Sequence, residues 1–420
     1  MSIEGTCGPR YAQVREEFER NLAERGEVGA SVCVTVEGET VVDLWGGAAD
    51  PSLRGPSTQP ATDRAWAADT IGHVWSATKG ATALCAHILA DRGDLDLNAP
   101  VAHYWPEFAK NGKDGILVRH LLNHQAGLPA VRDPLPPGCF YDWHLMVDAL
   151  AREEPFWKPG TRNGYHALTF GFLVGEVIRR ASGRTLGRFF RDEVAGPLGL
   201  DFWIGLPEEN EARVAPTIPA SQPGPGDPIP SFYMAALTDP TSVQALVLAN
   251  TGGYMMTPGE SDTRAAHAAE MGAVGGITNA RGLAGMYRPL ALGGSADGVR
   301  LVGAEQLAIL GAVSSATSVD AVMLVPTRWS LGFVKTMDNR HLPVADREGV
   351  LLSEEAFGFV GMGGSLGFAD PRARLSFGYT MNRQGAGLGV NERGQSLVDA
   401  VYRALGYGRV GTDGPWYHTS

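Results

Sequence analysis

Cysteine is scarce: four in 420 residues, at positions 7, 33, 85 and 139, with no Cys-x-x-Cys spacing. That scatter argues against a zinc ribbon, a redox pair or a disulfide framework, and for reduced, mostly buried thiols. Long apolar runs are also missing. No window of about 18 apolar residues occurs, so no membrane-spanning helix is expected. The opening residues, MSIEGTCGPRYAQVREEFERNLAERGEVG, lack the apolar core of a secretory leader and read as an amphipathic helix over 10–25. Positive charge is in deficit. Thirty-five Lys and Arg against 46 Asp and Glu leave a net −11, which argues against nucleic acid or an anionic membrane as a main partner. Among ten histidines only His120-x-x-x-His124 has helical spacing, and it lacks the glutamate of a zinc-protease motif. GAGLG (385–389) misplaces the third glycine of a dinucleotide loop and reads as a turn. No metal and no cofactor are expected, and the expected address is the cytoplasm.

Apolar residues make up 44% of the chain, enough for a large core, and the length allows more than one domain. GASVCVTVEGETVVDLWGG (29–47) alternates about Glu37-Gly38 and predicts a hairpin. Strand-like runs then stop until 329–337, 364–371 and 373–382, and a helix follows over 394–405. Between about 75 and 315 the pattern is helix and loop, with one apolar helical face at 168–181. Pro/Gly-rich stretches at 134–138, 219–230 and 252–259 read as surface loops or lids. The expectation is α+β: one antiparallel sheet closed by both chain ends, flanked by N- and C-terminal helices, with a mostly helical insertion. Residues 1–75 and 316–420 would form the sheet domain, and 76–315 the helical domain carrying the pocket loops.

Three stretches carry candidate chemistry. In HVWSATKG (73–80), Ser76 and Lys79 lie one turn apart at a helix start. The helix continues with Ala81, Leu84, Cys85, Ile88 and Leu89, and Gly93 is a plausible stop signal. Its small apolar surroundings predict burial all round, and a buried lysine needs a reason. Desolvated, it loses its proton near neutrality and can activate a hydroxyl one turn away. In KPGTRNGYHALTFG (158–171), Tyr165 follows two turn signals and precedes a helix. In GMGGSLGFADP (361–371), glycines let a strand approach a ligand, or simply bend the sheet. Gly363-Gly364-Ser365-Leu366-Gly367 also matches the nucleophile elbow of α/β-hydrolases. That fold needs an acid and then a histidine after the serine, and only His418 follows.

The ordered set resembles the serine β-lactamase and penicillin-binding-protein superfamily, in its class C β-lactamase-like branch, and within it the family VIII carboxylesterases. The likeness spans roughly 10–405 and includes VRHLLNHQAGLP (118–129). The resemblance implies that Ser76 is the nucleophile. Lys79, with Tyr165 as a phenolate-like partner, would move its proton, and the backbone N–H groups of Ser76 and Ser365 would hold the oxyanion. It also implies substrate contacts at Met362, Gly363, Gly364 and His166. Two departures stand out. Tyr-x-Asn is here Tyr165-His166-Ala167, and Lys-Thr-Gly is here Met362-Gly363-Gly364. Both remove groups that would meet a β-lactam, which favours neutral esters. The expected function is a serine carboxylesterase acting on small acyl esters. Acyl transfer to an alcohol or amine and β-lactam hydrolysis are the alternatives, and a silent scaffold is disfavoured by the retained Ser76, Lys79 and Tyr165. Self-association is left open.

Overall fold

A computed structural model describes residues 2–50, 64–221, 224, 226–347, 349–387 and 389–419. Parts of two predicted segments, residues 222, 223 and 225 of the 219–230 loop and Leu388 of the 385–389 turn, lie outside the described residues.

The centre is a ten-stranded antiparallel sheet. Its strands run, side by side, Ile3–Cys7, Glu39–Asp50, Gly29–Val36, Leu375–Met381, Leu366–Asp370, Phe357–Val360, Val334–Lys335, Thr327–Trp329 and Ser315–Thr317, with Arg64–Ala65 paired to Glu39–Asp50. The predicted hairpin is there, turning at Glu37 and Gly38, both of which have positive φ. The two chain ends meet where Leu375–Met381 pairs with Gly29–Val36. Side chains alternate across the pleat. Leu375, Phe377, Tyr379 and Met381 join Val32 and Val34 in a core covered by the helices Ala12–Glu24 and Glu392–Leu405. The opposite face is pared down to glycine at one cross-strand pair, Gly367 and Gly378. A Cβ at Gly378 would lie 2.2 Å from the Ala280 carbonyl oxygen, and one at Gly367 would lie 2.7 Å from the Tyr287 ring. The helix Ala280–Ala291 can therefore lie directly on the sheet, although it falls within the segment expected to be separate and helical.

The second core gathers around the helix Thr78–Asp91, against Thr169–Ser182 and Trp143–Arg152. Residues 78–89 are all buried, as the small apolar sequence predicts. Gly80 has a particular reason: a Cβ there would meet the Tyr287 hydroxyl at 2.2 Å.

The expectation that strand-like runs stop between the hairpin and residue 329 needs correcting. A four-stranded sheet, in the order Phe202–Ile204, Gly276–Thr278, Ile71–His73, Val214–Ala215, sits in that region. Strands of two or three residues show no alternation, and their partners are far away in sequence. This small sheet delivers the chain to Trp75 and Ser76. The predicted 329–337 strand is likewise two strands, broken at Gly332, where φ is +94°.

Candidate active site

Ser76 lies half-buried on the single 3-10 turn Trp75–Ala77 that feeds the Thr78–Asp91 helix. Trp75 has φ 48°, in the left-handed region that non-glycine residues avoid. Thr78 holds that turn: its hydroxyl donates to the Trp75 carbonyl and accepts the Gly276 amide at 2.8 Å. Thr82 donates to the Gly272 carbonyl at 2.6 Å. Thr78 and Thr82 are thus both tied to the 272–276 segment.

Lys79 is completely buried, and desolvation pushes its pKa well below the ordinary lysine value. Its Nζ has three oxygen neighbours: Ala167 O at 2.7 Å, Ala273 O at 3.0 Å and Ser76 Oγ at 3.1 Å. No carboxylate is among them. A neutral amine has two N–H donors and one lone pair. In that form the two carbonyls, which can only accept, take both donors and the lone pair faces the Ser76 hydroxyl; in the ammonium form Nζ donates to Ser76 Oγ.

Tyr165 lines the same cavity as Ser76. Lys79 Nζ sits 4.8 Å from the centre of the Tyr165 ring. Desolvation raises the phenol pKa above its ordinary value; the charge of Asp320 adds to this and the Ser76 hydrogen bond opposes it. The shifts run in opposite directions, down for the Lys79 ammonium and up for the Tyr165 phenol. Burial favours the neutral form of each group.

Tyr165 is placed by a residue the sequence reading missed. The fully buried carboxylate of Asp320 accepts the amides of Tyr165 at 3.0 Å and of Val322 and Met323 at 2.9 Å, while Thr327 donates to its other oxygen at 3.1 Å. The signal was present as a lone acid inside the apolar run Val319–Pro326. The ring itself stacks on Trp329, 5.4 Å away and 5° from parallel, and meets His124 edge-on at 5.0 Å.

The glycine-rich segment reaches the same place. A Cβ at Gly361 would lie 2.1 Å from the Val74 carbonyl oxygen, so only glycine lets this strand approach the Ser76 turn. Among the described residues, neither the Ser76 nor the Ser365 amide N–H has a backbone acceptor. The Ser365 hydroxyl is fully buried without a partner, and a strand follows it, Leu366–Asp370, so no strand–elbow–helix exists there.

The remaining predicted contacts divide. Met362 and Ala167 line the Ser76 cavity, an apolar space of about 580 Å³ that also touches Trp75, Leu168 and Val247. Gly363 and Gly364 have φ of +86° and +118° and back onto Gln384 and Asn391. They shape a turn, with the Asn391 amide donating to Gly363 O at 2.7 Å. His166 is not brought to the cavity. It is completely buried, Nε2 accepts the Leu128 amide at 2.9 Å, and Nδ1 donates to Gly164 O at 2.6 Å. Burial lowers its pKa to about 3, so it is a neutral brace behind the loop.

With this geometry in place, comparison with known proteins is decisive. The family model described as Beta-lactamase matches residues 14–402. The chain belongs to the beta-lactamase family. Within it, the esterase/beta-lactamase LipL of Mycobacterium tuberculosis is 35% identical over 387 residues, 90% of this chain and 82% of that one. A crystal structure of a family VIII carboxylesterase superposes with a TM-score of 0.81 at 37% identity, covering 96% of this chain and 100% of that one. A penicillin-binding protein homologue from Caulobacter crescentus gives a TM-score of 0.79 at 34% identity, covering 96% and 100%. The α+β fold with its large antiparallel sheet is that of these beta-lactamase family relatives.

Proposed function

We propose that this beta-lactamase family member is a serine carboxylesterase that cleaves small acyl esters through an acyl-enzyme on Ser76. The observation that carries the reading is the Lys79 amine, with two carbonyls taking its donors and Ser76 Oγ 3.1 Å from its nitrogen.

As Ser76 Oγ attacks the ester carbonyl, its proton passes to the Lys79 lone pair. The carbonyl oxygen becomes negative and is met by the N–H groups of Ser76 and Ser365. The tetrahedral centre then collapses and the bond from carbon to the alcohol oxygen breaks. That oxygen takes the Tyr165 proton, and Lys79 passes the proton it took from Ser76 to Tyr165, so both groups return to their starting state. Water repeats the sequence: its proton goes to Lys79, its oxygen bonds the acyl carbon, and Ser76 Oγ is reprotonated as the acid departs.

The similarity to an esterase/beta-lactamase and to a family VIII carboxylesterase supports the reaction class. The wall supports neutral esters over β-lactams: Met362 and Ala167 both face the Ser76 cavity, so no amide or ammonium is offered there to a charged substrate. The division into a sheet part (1–75 and 316–420) and a helical part (76–315) belongs to this reading, with the helix Ala280–Ala291 of the second part lying on the sheet of the first. Four unpaired cysteines support a reducing compartment, the cytoplasm.

The test is a side-by-side assay of p-nitrophenyl butanoate and benzylpenicillin with wild type and Ser76→Ala. Ester turnover that vanishes in Ser76→Ala, with little penicillin hydrolysis, is expected. Penicillin turnover matching the ester rate overturns the substrate class.

A further inference from the structure

A second, larger cavity, of about 890 Å³, adjoins the one at Ser76. Tyr165, Phe232 and Met323 are common to the walls of both, and Ser76 belongs only to the smaller. Three aromatic rings stand along the larger cavity. Tyr165 stacks on Trp329, and Trp329 on Phe359, with centroids 5.4 Å and 5.9 Å apart and planes within 25°. Among the described residues, its charged wall residues are already engaged. Arg328 pairs with Glu354, and Asp346 accepts both the amide of Ser231 at 2.8 Å and its hydroxyl at 2.6 Å. The cavity is therefore suited to an uncharged, flat group.

We infer that the larger cavity takes the alcohol half of the ester, that the smaller takes the acyl half, and that the preferred alcohol is aromatic. This rests on the acyl-enzyme reading above. The acyl carbon bonds to Ser76 Oγ, so the acyl chain must extend into the space that Ser76 lines. The alcohol oxygen must reach the Tyr165 hydroxyl when the carbon–oxygen bond breaks, because it leaves with that proton. Tyr165 is one of the three boundary residues and the one that supplies the proton, so whatever is attached to that oxygen continues into the cavity beyond it. There it meets the row of rings.

Two substitutions that narrow one cavity each give the test. Met337 lines only the larger cavity, and Leu248 only the smaller. Met337→Trp and Leu248→Trp are compared with wild type on 2-naphthyl acetate, which is large on the alcohol side, and on ethyl hexanoate, which is large on the acyl side. Taking each variant-to-wild-type ratio cancels the intrinsic reactivity of the two esters. Met337→Trp should lower kcat/KM for the naphthyl ester at least about tenfold and leave ethyl hexanoate within about twofold. Leu248→Trp should do the reverse. 2-Naphthol should inhibit the wild type competitively and lose that effect in Met337→Trp. Val325→Trp, from a different segment of the same wall, serves if Met337→Trp does not fold. A reversed pattern, or equal losses on both esters, overturns the assignment. Failure of the esterase reading looks different: no ester is turned over, or Ser76→Ala turns it over as well as wild type.

Discussion

Replacing Lys79 by methionine keeps the length and apolar stem of the side chain and removes its ionisable group, which makes the proton state of the lysine measurable through stability. The amine is buried in the folded protein, with its pKa lowered by desolvation, whereas in the unfolded chain it has the ordinary lysine value of about 10.4. Folding therefore releases a proton wherever the pH is below that value and the folded amine is neutral. The sign follows. Wild-type stability rises with pH through this window, by about 1.4 kcal/mol per unit, and the rise ends above the unfolded pKa. From roughly pH 8 to pH 10 wild type should gain stability steadily relative to Lys79→Met. The substitution also strips the Ala167 and Ala273 carbonyls of a donor, about 1–3 kcal/mol for each. That is an offset independent of pH, so the slope is the quantity to read. Urea denaturation of both proteins at several pH values supplies it, since other titrating groups cancel in the difference. Parallel stability curves would refute the reasoning: the lysine would then carry its proton into the fold and could not accept one from Ser76.

Tyr165→Phe removes only the hydroxyl and should lower kcat by about 10²–10⁴-fold with unchanged circular dichroism, because the ring keeps its stack on Trp329. Asp320→Ala leaves the amides of Tyr165, Val322 and Met323 without their acceptor; it should cost about 2–4 kcal/mol in urea denaturation and about 10–100-fold in kcat, with Asp320→Asn recovering part of each. Adding a small alcohol to the p-nitrophenyl butanoate assay should leave free butanoic acid as the main acyl product by chromatography; a new ester in its place would turn the reading toward acyl transfer.

Elements whose pattern is complete within one segment could be read from the sequence. The hairpin about Glu37-Gly38 and the terminal helix Glu392–Leu405 carry their own periodicity and turn residues. So does the helix after Ser76, whose small apolar residues mark it as buried on every side. What escaped depends on partners distant in the chain. The Ile71–His73 strand is three residues long and pairs with Gly276–Thr278 and Val214–Ala215. At the site, Ser76 and Lys79 share one turn, so their contact could be anticipated, but nothing in the segment around Asp320 ties it to Tyr165, 155 residues away, whose amide it accepts. His166 shows the opposite error. The resemblance implies a substrate contact for it, yet its ring is buried against Leu128 and Gly164 instead. The glycines at 80 and 361 are explained only by what a Cβ would strike, the Tyr287 hydroxyl and the Val74 carbonyl.

The most direct test of the central claim is covalent trapping. The protein is incubated with a fluorophosphonate, digested and mapped by mass spectrometry, alongside Ser76→Ala and Ser365→Ala. The account predicts a single adduct on the peptide containing Ser76, none in Ser76→Ala, and near-normal labelling in Ser365→Ala, which keeps its backbone N–H. An adduct on Ser365, or labelling that survives Ser76→Ala, would contradict it.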